Sequence, residues 1–171
     1  QYGWRRRYIS HLAGTNSRLD ELQAAVLRIQ LKQLDERNVR RRAIAERYRR
    51  ALASTGVVVP QEASETMHVM HLFVIESTQR DRLAEFLKEA GIATGLHYPQ
   101  PVHQQPAYLG RLRGSERLPV TEAFYQRLLT LPCHPGLTDE QINRICRRLQ
   151  AWSEPSSASS SPIHSIQGCP A

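Results

Sequence analysis

Between Gly14 and Gly56 the chain contains neither glycine nor proline, and most of the residues in that stretch are good helix formers. Nothing in it stops a helix, so the spacing predicts a long, largely uninterrupted one. Ser17 is placed to act as its N-cap, with Asp20 three residues on. Two apolar stripes follow at helical spacing: Leu19, Leu22, Val26 and Ile29, and Ala24, Leu27, Leu31 and Leu34. Two stripes imply burial on two sides. Either the helix is central to one domain, or it packs on its own domain with one face and at a subunit interface with the other. From Asp35 to Arg50 the composition becomes strongly charged, and Ile44, Tyr48, Ala51 and Leu52 keep a narrower apolar edge.

Downstream the periodicity changes. His68 to Ile75 reads as a strand, Arg80 to Ala90 as a helix stopped by Gly91, and Ile92 to Tyr98 as a second strand. The three prolines between Pro99 and Pro106 require a loop, because neither a helix nor a central strand tolerates that density. Val120 to Leu129 reads as helix. Thr138 and Gln141 have capping-box spacing, and Ile142, Ile145, Leu149 and Trp152 form one helical stripe behind them. Ser153 to Ala171 is rich in serine and proline and is expected to be a disordered tail. The order of elements predicts an α+β domain with a small sheet covered by helices.

A length of 171 residues suits one domain, or a sizeable piece of a larger subunit. The chain starts at Gln1 with neither Met nor a signal-peptide pattern, and that end reads as a truncation. No stretch has the 18 or more consecutive apolar residues a membrane-spanning helix needs. Cys133, Cys146 and Cys169 are odd in number and widely spaced, which suggests neither a disulfide framework nor a zinc site and fits the cytoplasm. Lys and Arg outnumber Asp and Glu by 23 to 16, and only Lys32 and Lys88 are lysines. Such a balance favours anionic partners without naming one. Arg37, Arg40, Arg41, Arg42, Arg47, Arg49 and Arg50 crowd one helix, so a basic nucleic-acid-binding module is one reading. Asp35, Glu36 and Glu46 interrupt the cluster as they do on a solvated helix face, which ranks that reading low.

Gly14-Thr15-Asn16-Ser17 precedes the long helix, where free backbone N–H groups and the dipole favour an anion. Asn16 adds amide donors and Arg18 a guanidinium, with Arg5, Arg6 and Arg7 upstream. Ordinary capping also explains this run and, from residue types alone, stands ahead. His97 and Tyr98 end a strand at the proline loop, with His103 a few residues on. They are candidates for proton exchange and hydrogen bonding, weighed against a packed histidine and a core tyrosine. His68 and His71 would point to opposite faces of a strand and lack companion ligands, so no metal site is expected. The adjacent pair Cys133-His134 is read as structural.

Taken in order, QYGWRRRY, GTNSRLDELQAAVLRIQLKQLDERN, MHLFVIES, GIATGLHYPQPVHQQPAY, LPVTEAF and LTLPCHPGLTDEQI resemble the C-terminal portion of the DegT/StrS family of sugar aminotransferases. The resemblance runs from Gln1 to about Trp152. It implies the small C-terminal domain of a type I aminotransferase (PLP-dependent transferase) fold, with the long interdomain helix. Residues 1–16 would end the large cofactor-binding domain, 17–52 would form the connecting and interface helix, 53–152 the small domain and 153–171 the tail. It also implies transfer of an amino group, from glutamate, to a keto-deoxysugar on a nucleoside diphosphate, with pyridoxal 5′-phosphate as cofactor and a homodimer that shares its active sites. Asn16 matches the asparagine that reaches the cofactor phosphate across the dimer. His97 and Tyr98 match an H-Y pair at the substrate pocket, and Arg7 and Tyr8 a segment near it. The Schiff-base lysine would lie upstream, and neither Lys32 nor Lys88 matches it, so the chain alone is expected to be inactive. Glu76 departs from the arginine that many relatives carry there. A purely structural dimerisation module is the remaining alternative.

Overall fold

The computed structural model describes residues 3–14, 20–111, 114 and 117–153. A short hairpin, β1 (Trp4–Arg6) and β2 (Ile9–Ser10), opens the chain. The helices α1 (Glu21–Leu31) and α2 (Leu34–Leu52) follow, then β3 (Phe73–Glu76) and α3 (Arg80–Glu89). After the proline loop, with its 3-10 turn at Val102–Gln104, come α4 (Pro119–Arg127), β4 (Leu128–Leu131) and α5 (Asp139–Gln150).

The long helix is broken. Gln33 sits at φ −110°, ψ 4°, and its N–H turns back to the Gln30 carbonyl at 3.1 Å. That backbone region is open to any residue, so the absence of glycine and proline does not guarantee continuity. Arg37 spans the break, donating to the side-chain oxygens of Gln30 and, at 2.6 Å, Gln33. The helix also starts later than expected. Asp20 is the N-cap, with its Oδ1 accepting from the Gln23 N–H at 2.7 Å, in place of Ser17, which lies outside the described residues. Within the chain α1 buries no residue, and Leu22, Val26, Leu27, Ile29 and Leu31 are all exposed. The two-sided burial read from its stripes is not supplied by this chain.

β3 and β4 pair antiparallel, Phe73 opposite Leu131 through Glu76 opposite Leu128. Val58 bridges to Glu76 on one edge and Gly95 to Thr130 on the other, so four segments lie side by side. Three expectations change here. The strand expected over His68 to Ile75 shrinks to Phe73–Glu76, because Met70 takes φ +52° and its N–H donates to His68 Nδ1 at 2.8 Å, curling the segment. The strand expected over Ile92 to Tyr98 is a single bridge at Gly95. The helix expected over Val120 to Leu129 ends at Arg127, and LLTL becomes β4. A short apolar run fits either element, and only its partner strand decides.

α2 and α5 pack together over the sheet, with Ile44, Tyr48 and Leu52 from one and Ile142, Ile145 and Leu149 from the other. α3 adds Leu83 and Leu87, and the strands add Phe73, Ile75, Leu129 and Leu131. Each of these side chains contributes about 1.5–3 kcal/mol of burial free energy. Tyr48 meets Phe73 edge-on at 5.5 Å and donates its hydroxyl to the Pro132 carbonyl at 2.8 Å. Burial pushes its phenol well above the ordinary tyrosine value. α5 has its expected capping box, with Gln141 N–H to Thr138 Oγ1 at 3.2 Å and Thr138 N–H to Gln141 Oε1 at 2.9 Å.

The arginines of α2 act as ties within the chain. Arg40 reaches the Leu137 carbonyl and Asp139, Arg41 the Cys133 and His71 carbonyls, and Arg42 Glu62 and the His68 carbonyl. Arg47 bonds Asp139 and Asn143, while Arg49 and Arg50 pair with Glu46. With Arg37 also engaged, each of the seven cations has a partner here. Such a face is poorly suited to gripping nucleic-acid phosphates. No helix among the described residues is long and apolar enough to cross a membrane.

Candidate functional site

The hairpin β1–β2 turns at Arg7 and Tyr8, with Tyr8 in the left-handed region at φ +67°. This turn faces the start of the proline loop. The Tyr8 ring meets the Tyr98 ring edge-on at 5.6 Å, and Tyr98 meets His97 at 5.7 Å. On its other side Tyr8 meets Trp4 at 5.5 Å. Arg7 donates to the Tyr8 hydroxyl at 3.0 Å and lies 4.8 Å over its ring. Four of the residues picked from the sequence, Arg7, Tyr8, His97 and Tyr98, thus form one patch from segments some 90 residues apart. Tyr98 is half exposed and Arg7 faces solvent, so the patch is open to a ligand. The fifth, Asn16, lies outside the described residues.

His97 is held from below. Its Nδ1 lies 3.1 Å from Thr130 Oγ1 on β4, which leaves Nε2 as the free ring nitrogen. Thr130 in turn exchanges both backbone hydrogen bonds with Gly95, at 3.0 and 2.8 Å. Glycine at 95 leaves room for the imidazole, since a Cβ there would stand 2.8 Å from His97 Cε1 and 3.3 Å from Nδ1 and would push the ring aside. His103, noted in the sequence only for its position, is buried, and its Nε2 lies 3.2 Å from Glu122 Oε1. That oxygen also accepts from the Leu118 N–H at 2.9 Å, ahead of α4. The Leu118 amide first, then His103, hold the Glu122 carboxyl below the usual carboxylate range.

Sequence reasoning missed Gly95, Thr130 and Gln105. No spacing marks a lone polar residue that packs beneath a loop, and Thr130 fell in a segment read as beyond the end of a helix. Glu76, the departure from the family pattern, pairs with Arg127 at 3.2 Å at the end of β3.

A depression of about 550 Å³ lies elsewhere, lined by Gln33, Glu36, Arg37, Arg40, Pro135 and Gly136. Both of its arginines are engaged within the chain and a carboxylate shares it, so the aromatic patch has the better chemistry for a ligand. Among the described residues no group of three His, Cys, Asp or Glu side chains could hold a metal ion. Neither lysine belongs to the patch: Lys88 pairs with Glu85 on α3, and Lys32 ends α1 at the surface.

The model of the DegT/DnrJ/EryC1/StrS aminotransferase family matches residues 1–150. The chain belongs to this family. It is 44% identical over 154 residues to the dTDP-3-amino-3,4,6-trideoxy-alpha-D-glucose transaminase of Streptomyces venezuelae, a match covering 90% of this chain and 41% of that protein. It is 41% identical to the erythromycin biosynthesis sensory transduction protein EryC1 of Saccharopolyspora erythraea, over 88% of this chain and 41% of the relative. In solved structures it resembles S. venezuelae DesV in complex with a ketimine intermediate, at a TM-score of 0.75 and 43% identity, over 91% of this chain and 42% of that one. The chain therefore spans about two fifths of the length of the relatives it matches, and its fold is that of the corresponding part of the family's PLP-dependent sugar aminotransferases.

The donor set of the patch fits part of such an enzyme. Edge-on aromatic rings, a guanidinium and an imidazole can together meet an anionic ligand. The patch has no lysine to hold an aldehyde cofactor, and the helix end behind the Asn16 run is already capped by the Asp20 carboxylate.

Proposed function

We infer that the chain is the C-terminal part of a pyridoxal-phosphate aminotransferase acting on a nucleotide-linked keto-deoxysugar, with glutamate as amino donor. The observation that carries this reading is the joining of Arg7, Tyr8, His97 and Tyr98 into one open patch in a member of a sugar aminotransferase family. Pyridoxal phosphate, when bound, supplies the electron sink that allows an amino group to move. This chain's residues bind and orient. Asn16 donates to the cofactor phosphate, Arg7 meets substrate negative charge, and Tyr8, His97 and Tyr98 contact the sugar nucleotide. The proton-moving lysine comes from the preceding part of the enzyme, so these 171 residues alone form no covalent link to the cofactor.

The enzyme works as a cytoplasmic homodimer in which Asn16 reaches the partner's cofactor. Residues 1–16 end the large domain, 17–52 connect and 53–152 form the small domain. The exposed apolar residues of α1 support an interface there. Sedimentation of the longer enzyme as a monomer would count against it.

Asn16→Ala in the longer enzyme tests the phosphate role. Loss of one hydrogen bond to a charged group is expected to weaken cofactor binding by about 1.5–3 kcal/mol, roughly ten- to hundred-fold in Kd. Stability without cofactor should change little, because Asp20 caps α1. Cofactor titration beside a thermal melt gives both numbers. Unchanged affinity with a lowered melting temperature would sink the assignment.

A further inference from the structure

Gln105 is 8% exposed, and its side-chain oxygen and both amide protons bond backbone groups of the hairpin and of its own loop. Its Oε1 accepts from the Ser10 N–H at 2.8 Å. Its Nε2 donates to the Tyr8 carbonyl at 3.0 Å and to the Gln100 carbonyl at 3.3 Å. Two residues on, the Ala107 N–H donates to the Ser10 carbonyl at 2.8 Å, so the side chain and the loop backbone together grip the hairpin from Tyr8 to Ser10. Tyr8 holds a left-handed backbone that a tyrosine adopts only when its surroundings impose it. Among those surroundings, the Gln105 amide holds its carbonyl and the Tyr98 ring meets its side chain.

We propose that Gln105 is a positioning residue of the substrate site, holding the Arg7–Tyr8 turn in register with the His97–Tyr98 loop and so setting substrate affinity without touching substrate. The proposal rests on the functional reading above. Its chemistry is directional: one acceptor faces an N–H and two donors face carbonyls. Gln105→Glu keeps the acceptor for Ser10 and sets a second oxygen against the Tyr8 and Gln100 carbonyls. That mismatch is relieved when the buried carboxyl takes up a proton and becomes a donor. Gln105→Leu removes all three bonds at similar volume.

The test measures kcat and KM of the longer enzyme for dTDP-linked and UDP-linked aminodeoxysugars, assayed in the deaminating direction with 2-oxoglutarate. Gln105→Leu is expected to raise KM for the sugar about ten-fold with kcat within about two-fold. Gln105→Glu should do the same at pH 8, with KM returning toward wild type as pH falls to 6. Arg5, Arg6, Arg7, Tyr8 and His11 of the hairpin, His97, Tyr98, His103 and Tyr108 of the loop, and Glu122 against His103 are the charged and titratable groups of the packed segments. They are present in both proteins, so the ratio of variant to wild-type KM at each pH isolates residue 105. If Gln105→Leu fails to fold, the pH response of Gln105→Glu alone decides. Wild-type KM in both variants, whatever their melting temperatures, overturns the role of Gln105 and leaves the aminotransferase reading standing. A wild-type enzyme inert toward both sugar nucleotides overturns that reading, and the substrate role of Gln105 with it.

Discussion

Thr130→Val removes a hydroxyl from β4 while keeping the β-branched shape that suits a strand. Thr130 is 5% exposed, and its Oγ1 lies 3.1 Å from His97 Nδ1. A neutral hydrogen bond of this kind contributes about 0.5–1.5 kcal/mol net. His97 is only half-buried, so its freed nitrogen can turn to water and adds little further cost. The expected loss of stability is therefore about 1 kcal/mol, a fall of roughly 2–4 °C in melting temperature for a chain of this size. The larger consequence is local, because the imidazole loses the contact that fixes its orientation. Thr130→Ser is the control: it gives up a buried methyl, about 0.8 kcal/mol, and keeps the hydroxyl. The two variants should melt alike and differ at His97. Nitrogen-15 NMR of the histidine ring reads this directly, with Nδ1 and Nε2 shifts altered in Thr130→Val and wild-type in Thr130→Ser. Unaltered His97 shifts in Thr130→Val would refute the reasoning, since Thr130 would then be a packing residue only.

Gly95→Ala should produce the same change in the His97 ring shifts without loss of the hydroxyl, because the new Cβ would stand 2.8 Å from His97 Cε1; a ring that keeps its wild-type shifts would contradict it. Glu62, Glu122 and Asp139 have carboxyls held below their usual values, by Arg42 in the first case, by the Leu118 amide in the second and by Arg40 in the third. A folded-state pKa lower than the unfolded one gives stability that is present above the unfolded carboxylate range and lost as pH falls through the folded pKa. The melting temperature should therefore drop in acid, and Asp139→Asn should flatten part of that drop; an identical acid profile in this variant would count against the assignment.

The legible parts of the fold were those written in local chemistry. Thr138 and Gln141 announce the start of α5 because both halves of the capping box lie within four residues, and Ile142, Ile145 and Leu149 share a face by helical period alone. The illegible parts were non-local. LLTL became β4 because Phe73–Glu76 lies beside it, and the break at Gln33 uses a backbone conformation open to any residue. For the site, His97, Tyr98, Arg7 and Tyr8 were reached through family motifs, since residue types alone favoured plainer roles. Asn16 remains an expectation from the sequence.

The sequence by itself determined the helical cores of α3 and α5, the proline loop and the family, because each is encoded in residues close together or in motifs that keep their order. Only the tertiary structure decided which faces meet. It joined the turn at Arg7–Tyr8 to the loop at His97–Tyr98, drew Thr130 under the imidazole and set Gln105 between two backbones. It also tied the arginines of α2 to carbonyls and carboxylates within the chain. A linear pattern records what each residue can bond to, and only the folded chain brings a partner within hydrogen-bonding distance.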